Sequence, residues 1–289
     1  MSLNGAFALG GAAVIYALFN VLIREMSLMY GDQAQIVARY SVALLIVIGL
    51  QFFWYKKSIR IPKNLLWRAL LLGLQIATVV FLITTAVNNT KIANAVFLIW
   101  AGSIFMSFLL GTFLLKEKIT TNKIVALILV VVGLSMFAEG LAVLSIGLVA
   151  GFFAGVFDGV ANTLRKSLKE LPRNTVMIYQ YSVGLSLLVV FMLTSGNDII
   201  REASLYGAGI TVIYGILLAL LGNLLLYGFQ HFDVNIGTII LASEIMIAIA
   251  FGYLFFGEIP TSKELIGGIA IFLASIVTVI NIKTPKLKS

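Results

Sequence analysis

Apolar residues run through this chain in ten stretches of about 17 to 25 residues, broken by short punctuation of Lys, Arg, Asn, Gly and Pro. The stretches lie near 3–23, 34–55, 66–87, 92–115, 122–138, 143–165, 175–195, 205–229, 235–257 and 262–282, with ends set to within about four residues. A hydrocarbon core about 30 Å thick is crossed by about 20 helical residues rising 1.5 Å each. Each stretch therefore predicts a membrane-spanning helix. The fifth is short for the task and needs residues from its flanks.

The pattern repeats once at a fixed offset of 141 residues. Arg24 falls on Arg165, Tyr40-Ser41-Val42 on Tyr181-Ser182-Val183, Ala101 on Ala242, Gly111 on Gly252, Glu117 on Glu258 and Thr120 on Thr261. The chain thus divides into two five-helix repeats, 1–140 and 141–289. Five is odd, so the second repeat enters the bilayer upside down relative to the first. Antiparallel pseudo-symmetry of this kind is a common way to build an alternating-access carrier. The expected fold is an all-α integral membrane protein of ten transmembrane helices in two inverted five-helix repeats.

Composition agrees. The chain is 61% hydrophobic and 11% charged, with a mean hydropathy of +1.07, against about half apolar and a quarter charged in soluble domains. Ten spans in 289 residues leave short loops and no room for a soluble catalytic or receptor domain. Loops rich in Lys and Arg stay on the cytoplasmic side. With the N-terminus inside, all of the 20 Lys and Arg residues fall in inside loops except Arg24, Arg39, Lys91, Arg201 and Lys263. Both termini are therefore predicted to be cytoplasmic. The net charge of +8 is accounted for by topology and anionic lipid headgroups, which removes the case for nucleic acid. With no cysteine there is neither a disulfide framework nor a thiolate metal site. The first apolar stretch begins at Leu3 with no basic segment before it, which reads as a first span and not as a cleavable signal.

Gly147, Gly151, Gly155 and Gly159 recur every four residues along the sixth helix, a small-residue stripe on which another backbone can approach closely. Such a face predicts a tight crossing, and a smooth one that can rock. Gly10 and Gly11 begin a shorter version on the first helix.

Polar residues at depth carry the candidate chemistry, because an ionisable group in hydrocarbon is costly and faces a cavity or a partner. Glu244 sits near the middle of the ninth helix. Asp158 lies in the sixth, one turn from Asn162 and on the same face. Each carboxyl is a candidate for proton exchange or for recognition of a solute amine; capping of a neighbouring helix is the structural alternative. Gln75, Thr78, Trp100, Ser103, Tyr16, Asn20 and Asn223 are further mid-depth groups. Trp100 stands out because it lies away from the interfacial belt that normally explains tryptophan. Aromatic faces with a few amides and hydroxyls suit a small organic solute. Arg39 is most simply an interfacial or capping charge, with an outer gate to Glu25 or Glu139 as the functional alternative. Glu117 and Glu258 each end a long helix and open the turn to the next, where capping of that helix suffices as a role.

These residues resemble a family. The ten inverted spans, the Gly-x-x-apolar-apolar-x-Glu ends at Gly111–Glu117 and Gly252–Glu258 with Thr following, the Arg39-Tyr40 pair, and Glu244 where the family often has Glu-Pro, resemble EamA-type members of the drug/metabolite transporter superfamily. The resemblance covers nearly the whole chain. It implies a central cavity formed by helices one, three, four, six, eight and nine, with helices five and ten peripheral. Ile245 stands where proline is common, which puts a break of the ninth helix in doubt. A chain with a single histidine, His231, cannot supply a His-Glu-x-x-His centre. There is no Gly-x-Gly-Asp segment for an aspartyl enzyme and no Thr-Val-Gly-Tyr-Gly filter for a channel.

The expectation is therefore a secondary transporter, an exporter of an amino acid or related amphipathic metabolite, in a bacterial inner membrane. It is expected to be no enzyme and to carry no cofactor or metal. Substrate contacts are assigned to Trp100, Tyr16, Asn20, Gln75, Thr78, Asp158, Asn162, Asn223 and Glu244. Its partners are a small-molecule substrate, protons as candidate coupling ion, and lipids, with the protein a monomer or homodimer. An uncoupled facilitator or exchanger of a nucleoside-type or cationic metabolite is the alternative.

Overall fold

The computed structural model describes residues 3–56, 59–137, 145–195, 201 and 204–280. Glu139, Lys57, Lys283, Lys286 and Lys288 lie outside these described residues. The helices are α1 (Leu3–Ser27), α2 (Asp32–Leu50), α3 (Lys63–Asn89), α4 (Ile92–Phe113), α5 (Thr121–Ser135), α6 (Ile146–Ser167), α7 (Arg173–Ser195), α8 (Leu205–His231), α9 (Val234–Leu241), α10 (Glu244–Phe256) and α11 (Ser262–Ile280). With α9 and α10 counted as one span, nine helices among the described residues are long and apolar enough to cross a membrane, and α5 is the shorter tenth with 15 residues. Each span ends within four residues of its stretch in the sequence.

Local chemistry sets the ends. Ser145 and Ser204 cap α6 and α8 by accepting from Leu148 N–H at 3.3 Å and Gly207 N–H at 3.0 Å. Thr261 and Glu264 form a reciprocal capping box at α11 (2.7 and 3.2 Å). Helix α2 runs on through a π-helical turn, Gln51–Tyr55, and stops where Lys56 turns left-handed at φ 47°. Phe52, Phe53 and Trp54 on that turn are exposed, as suits an aromatic anchor at the edge of the hydrocarbon.

Packing obeys the 141-residue symmetry. Helix α6 packs on α3 and α4, and its counterpart α1 packs on α8 and on α9 and α10. Helix α2 meets α8 as α7 meets α3, while the pairs α2 with α7 and α5 with α11 meet their own counterparts. The sixth-helix glycines make the crossing with α4: a Cβ at Gly155 would overlap the Ile99 carbonyl, and one at Gly159 would come 2.7 Å from Met106 Cβ. The stripe on α1 is not used in this way. Gly10 has no neighbour within 4 Å, and Gly11 meets only a Leu224 methyl at 3.8 Å.

The interruption itself corrects the doubt raised by Ile245. The ninth span breaks at Ala242–Ser243 without a proline. Three-residue bonds replace four-residue ones there, Ser243 N–H to Ile240 O at 3.2 Å and Ile245 N–H to Ala242 O at 3.1 Å. The Ser243 hydroxyl also donates to Ile240 O at 2.7 Å. A serine that competes for the helix's own carbonyls tightens and bends the turn.

Candidate functional site

A cavity lies between the halves, walled by α1, α2, α3, α4, α6, α7, α8 and the start of α10. Helices α5 and α11 contribute nothing to it. The break in the ninth span makes Glu244 the first residue of α10, with its carboxylate in the cavity wall. Asn20 Nδ2 donates to Oε1 at 2.8 Å and Trp100 Nε1 to Oε2 at 2.9 Å. Both partners are neutral, and Glu244 makes no ion pair among the described residues.

Across the cavity Asp158 accepts at Oδ2 from the Ser103 hydroxyl at 2.8 Å and from Asn162 Nδ2 at 2.9 Å. Arg165 Nη1 lies 3.6 Å from Asp158 Oδ1 and donates a short hydrogen bond to Asn162 Oδ1. Aromatic rings fill much of the remaining wall. Phe19 stacks on Tyr214 with centroids 4.0 Å apart, Tyr16 meets Trp100 edge-on at 6.1 Å, and Tyr40 meets Tyr181 edge-on at 5.6 Å. Tyr40 and Tyr181 are counterparts, so the second and seventh helices touch through the same residue.

Of the residues read from the sequence, Trp100, Tyr16, Asn20, Asp158 and Glu244 converge on the cavity. Asn162 stands behind Asp158, fully buried, and Ser103 does the same from α4. Gln75, Thr78 and Asn223 are elsewhere. The Thr78 hydroxyl turns back to Leu74 O at 3.1 Å, and Asn223 accepts from Arg173 Nη1 at 2.6 Å near the helix ends. Gln75 does not line the cavity, and its Oε1 has no partner. Arg39 is neither interfacial nor paired with Glu25. It is fully buried, donates to the Thr84 hydroxyl at 2.7 Å and lies 4.4 Å from the Tyr214 ring centre, because α2 is enclosed by α7 and α8 at that depth.

Sequence reasoning passed over Tyr40, Arg165, Gln180, Tyr181 and Tyr214 as cavity walls. The identity of Tyr40 with Tyr181 across the repeat was the available signal, since α2 and α7 are counterparts that meet each other.

The two helix-end glutamates cap helices, though not the ones that follow them. Glu117 accepts from Val234 N–H at 2.7 Å and Asn235 N–H at 3.4 Å, at the start of α9. Glu258 accepts from Ile92 N–H at 3.0 Å, at the start of α4. Each therefore reaches into the opposite half. The glycine six residues earlier makes the space: a Cβ at Gly111 or at Gly252 would lie 2.9 Å from the glutamate Oε2. Burial raises the Glu117 carboxyl above its ordinary range, outweighing the lowering by its amide donors.

Comparison with known proteins agrees with this arrangement. The EamA-like transporter family matches twice in tandem, over residues 3–138 and 144–280. An uncharacterized transporter of Archaeoglobus fulgidus is 26% identical over 193 residues, 66% of this chain and 68% of the archaeal protein. A protein of known crystal structure superimposes with a TM-score of 0.75 at 13% identity, over 98% of this chain and 100% of its own, a likeness of fold alone. The chain belongs to the EamA-like transporter family of the drug/metabolite transporter superfamily, a family of multi-pass membrane carriers of small molecules and not of enzymes.

Proposed function

We propose that this transporter carries an amino acid or a related amine-bearing amphipathic metabolite, outward across a bacterial inner membrane, with both termini cytoplasmic. The observation that carries the reading is Glu244. It is a carboxylate in the cavity wall held by two neutral donors, Asn20 and Trp100, with no cationic partner among the described residues. A buried carboxylate of that kind takes up a solute ammonium or a proton as its missing counter-charge. Trp100, Tyr16, Phe19 and Tyr214 supply apolar faces for the rest of the solute. Asp158 and Arg165 present one charge of each sign on the facing wall, a complement to a zwitterion. Proton exchange at Glu244 would couple transport to the proton gradient.

The test is a thermal-stability screen of detergent-purified protein against amino acids, purines, quaternary cations, adenosine-type compounds and sugar phosphates, repeated on Trp100→Ala and Glu244→Gln. A ligand that prefers the folded state raises its melting temperature. A rise with amino acids, lost in both variants, is the expected result. A rise with nucleosides or cations alone moves the substrate to the exchanger alternative, and a rise only with sugar phosphates rejects the reading. Transport in vesicles that persists unchanged when the proton gradient is collapsed would reject proton coupling.

A further inference from the structure

The two ends of the molecule are built from the same parts but stand in different states. Where α1 finishes and α4 begins, Arg24 is fully committed. Its Nη1 pairs with Glu258 at 2.5 Å, Nη2 donates to Thr90 O at 2.5 Å, Nε donates to Val87 O at 3.0 Å, and the guanidinium lies 5.0 Å from the Phe256 ring centre. Since Glu258 also holds the first amide of α4, this one arginine ties together α1, α3, α4 and α10.

The opposite end contains the ionic and backbone counterparts at the 141-residue offset, Arg165 for Arg24, Glu117 for Glu258, Gly228 and His231 for Val87 and Thr90, with Leu115 in place of the Phe256 ring. Glu117 is seated as its counterpart is. Its amide donates to Gly111 O at 2.9 Å, as that of Glu258 does to Gly252 O at 3.1 Å. Yet Glu117 makes no ion pair among the described residues. Arg165 has instead turned into the cavity, onto Asn162 and Asp158. It is not far from the seat it leaves vacant: Lys166, its neighbour, donates to Phe232 O at 2.6 Å, two residues before the amide that Glu117 caps.

We infer that Arg24–Glu258 and Arg165–Glu117 are two latches made one at a time during the transport cycle, and that Asp158 governs the second by holding Arg165. In an inverted-repeat carrier the second state arises when each half adopts its counterpart's arrangement. The opposite state then has Arg165 on Glu117 and on the last carbonyls of α8, with Arg24 released from Glu258. Asp158 supplies the coupling. A solute ammonium or a proton that neutralises it removes the counter-charge of a buried guanidinium, and a buried unpaired charge is driven to another partner. This rests on the proposal that cavity carboxylates receive the solute amine or a proton.

The chain has no cysteine, so spin labels can be placed by single substitutions. Leu28→Cys with Ile259→Cys reports the latched end, and Lys118→Cys with Lys169→Cys reports the other. All four sites are exposed, and the two pairs are related by the same offset. Pulsed electron resonance on ligand-free protein is expected to give a shorter distance for 28/259 than for 118/169. Asp158→Asn should move population to short distances at 118/169 and to long distances at 28/259. Adding Glu117→Gln should abolish that shift. Equal distances for the two pairs in the unaltered protein, no shift in a monodisperse Asp158→Asn, or a shift that survives Glu117→Gln would each overturn the inference. Should Asp158→Asn not fold, Arg24→Gln and Glu258→Gln decide: each must lengthen 28/259, and an unchanged distance rejects the latch. No substrate enters these measurements, so they stand or fall separately from the ligand screen.

Discussion

Glu244 shows how much one oxygen matters. Its two carboxylate oxygens each accept one donor, Asn20 on one and Trp100 on the other. An amide keeps a single acceptor, so Glu244→Gln leaves one of those donors facing an NH2 group. A buried unsatisfied group costs about 1–3 kcal/mol, and the expected outcome is a melting temperature several degrees lower in ligand-free protein. Glu117 carries a different signature. Burial raises its carboxyl, with Asp233 acting in the same direction and Lys123 and the α9 amides against it. A value higher in the folded than in the unfolded chain means that the folded protein binds more protons between the two. Stability is then fullest below the unfolded value and declines as pH rises through the folded one. The stability of the parent protein relative to Glu117→Gln should therefore fall as pH rises from about 4.5, measured by thermal unfolding across pH; a difference independent of pH would reject it. Trp100, Glu244 and Asp158 were legible because polar or interfacial residues at depth need an explanation. Tyr214 was not, since an aromatic on an apolar helix reads the same whether it faces lipid or cavity.

At the level of helices, the glycine stripe on α6 was fully legible and the break in the ninth span was not. Four-residue glycine spacing has one cheap explanation, close backbone approach, and α4 supplies the backbone. Gly155→Ala should be among the most damaging single substitutions in the protein, because its Cβ meets the Ile99 carbonyl, which cannot rotate away. Overpacking of this kind costs about 1–3 kcal/mol, and Gly10→Ala, with open space around it, should cost almost nothing. Comparison of the two variants by thermal unfolding checks the point. The sequence leaves the break at Ala242–Ser243 in doubt because the usual marker, proline, is absent and a lone serine is tolerated in most helices. Capping partners were hidden for a related reason. Glu117 was read against the helix next in sequence, whereas its true partner, α9, begins 117 residues later.

For the whole molecule, the repeat carried nearly all of the topology. A single offset yields ten spans, two halves and their inversion, and the observed helix pairs follow from it. What matching motifs cannot reveal is that the halves differ in state, since Gly111–Glu117 and Gly252–Glu258 share one Gly-x-x-apolar-apolar-x-Glu pattern. Their substitution should expose the difference. Gly252→Ala pushes on a glutamate already held by Arg24, whereas Gly111→Ala pushes on one with no ionic partner among the described residues. The expected result is a loss of stability greater for Gly252→Ala by about 1 kcal/mol, again read from unfolding; equal losses would speak against the asymmetry. One contact is exempt from every such difference. Tyr40 against Tyr181 joins a residue to its own copy, so exchanging the roles of the halves leaves that pair as it was. If the two ends latch in alternation, this pair is the fulcrum of the motion, the point about which both swing while it stays still.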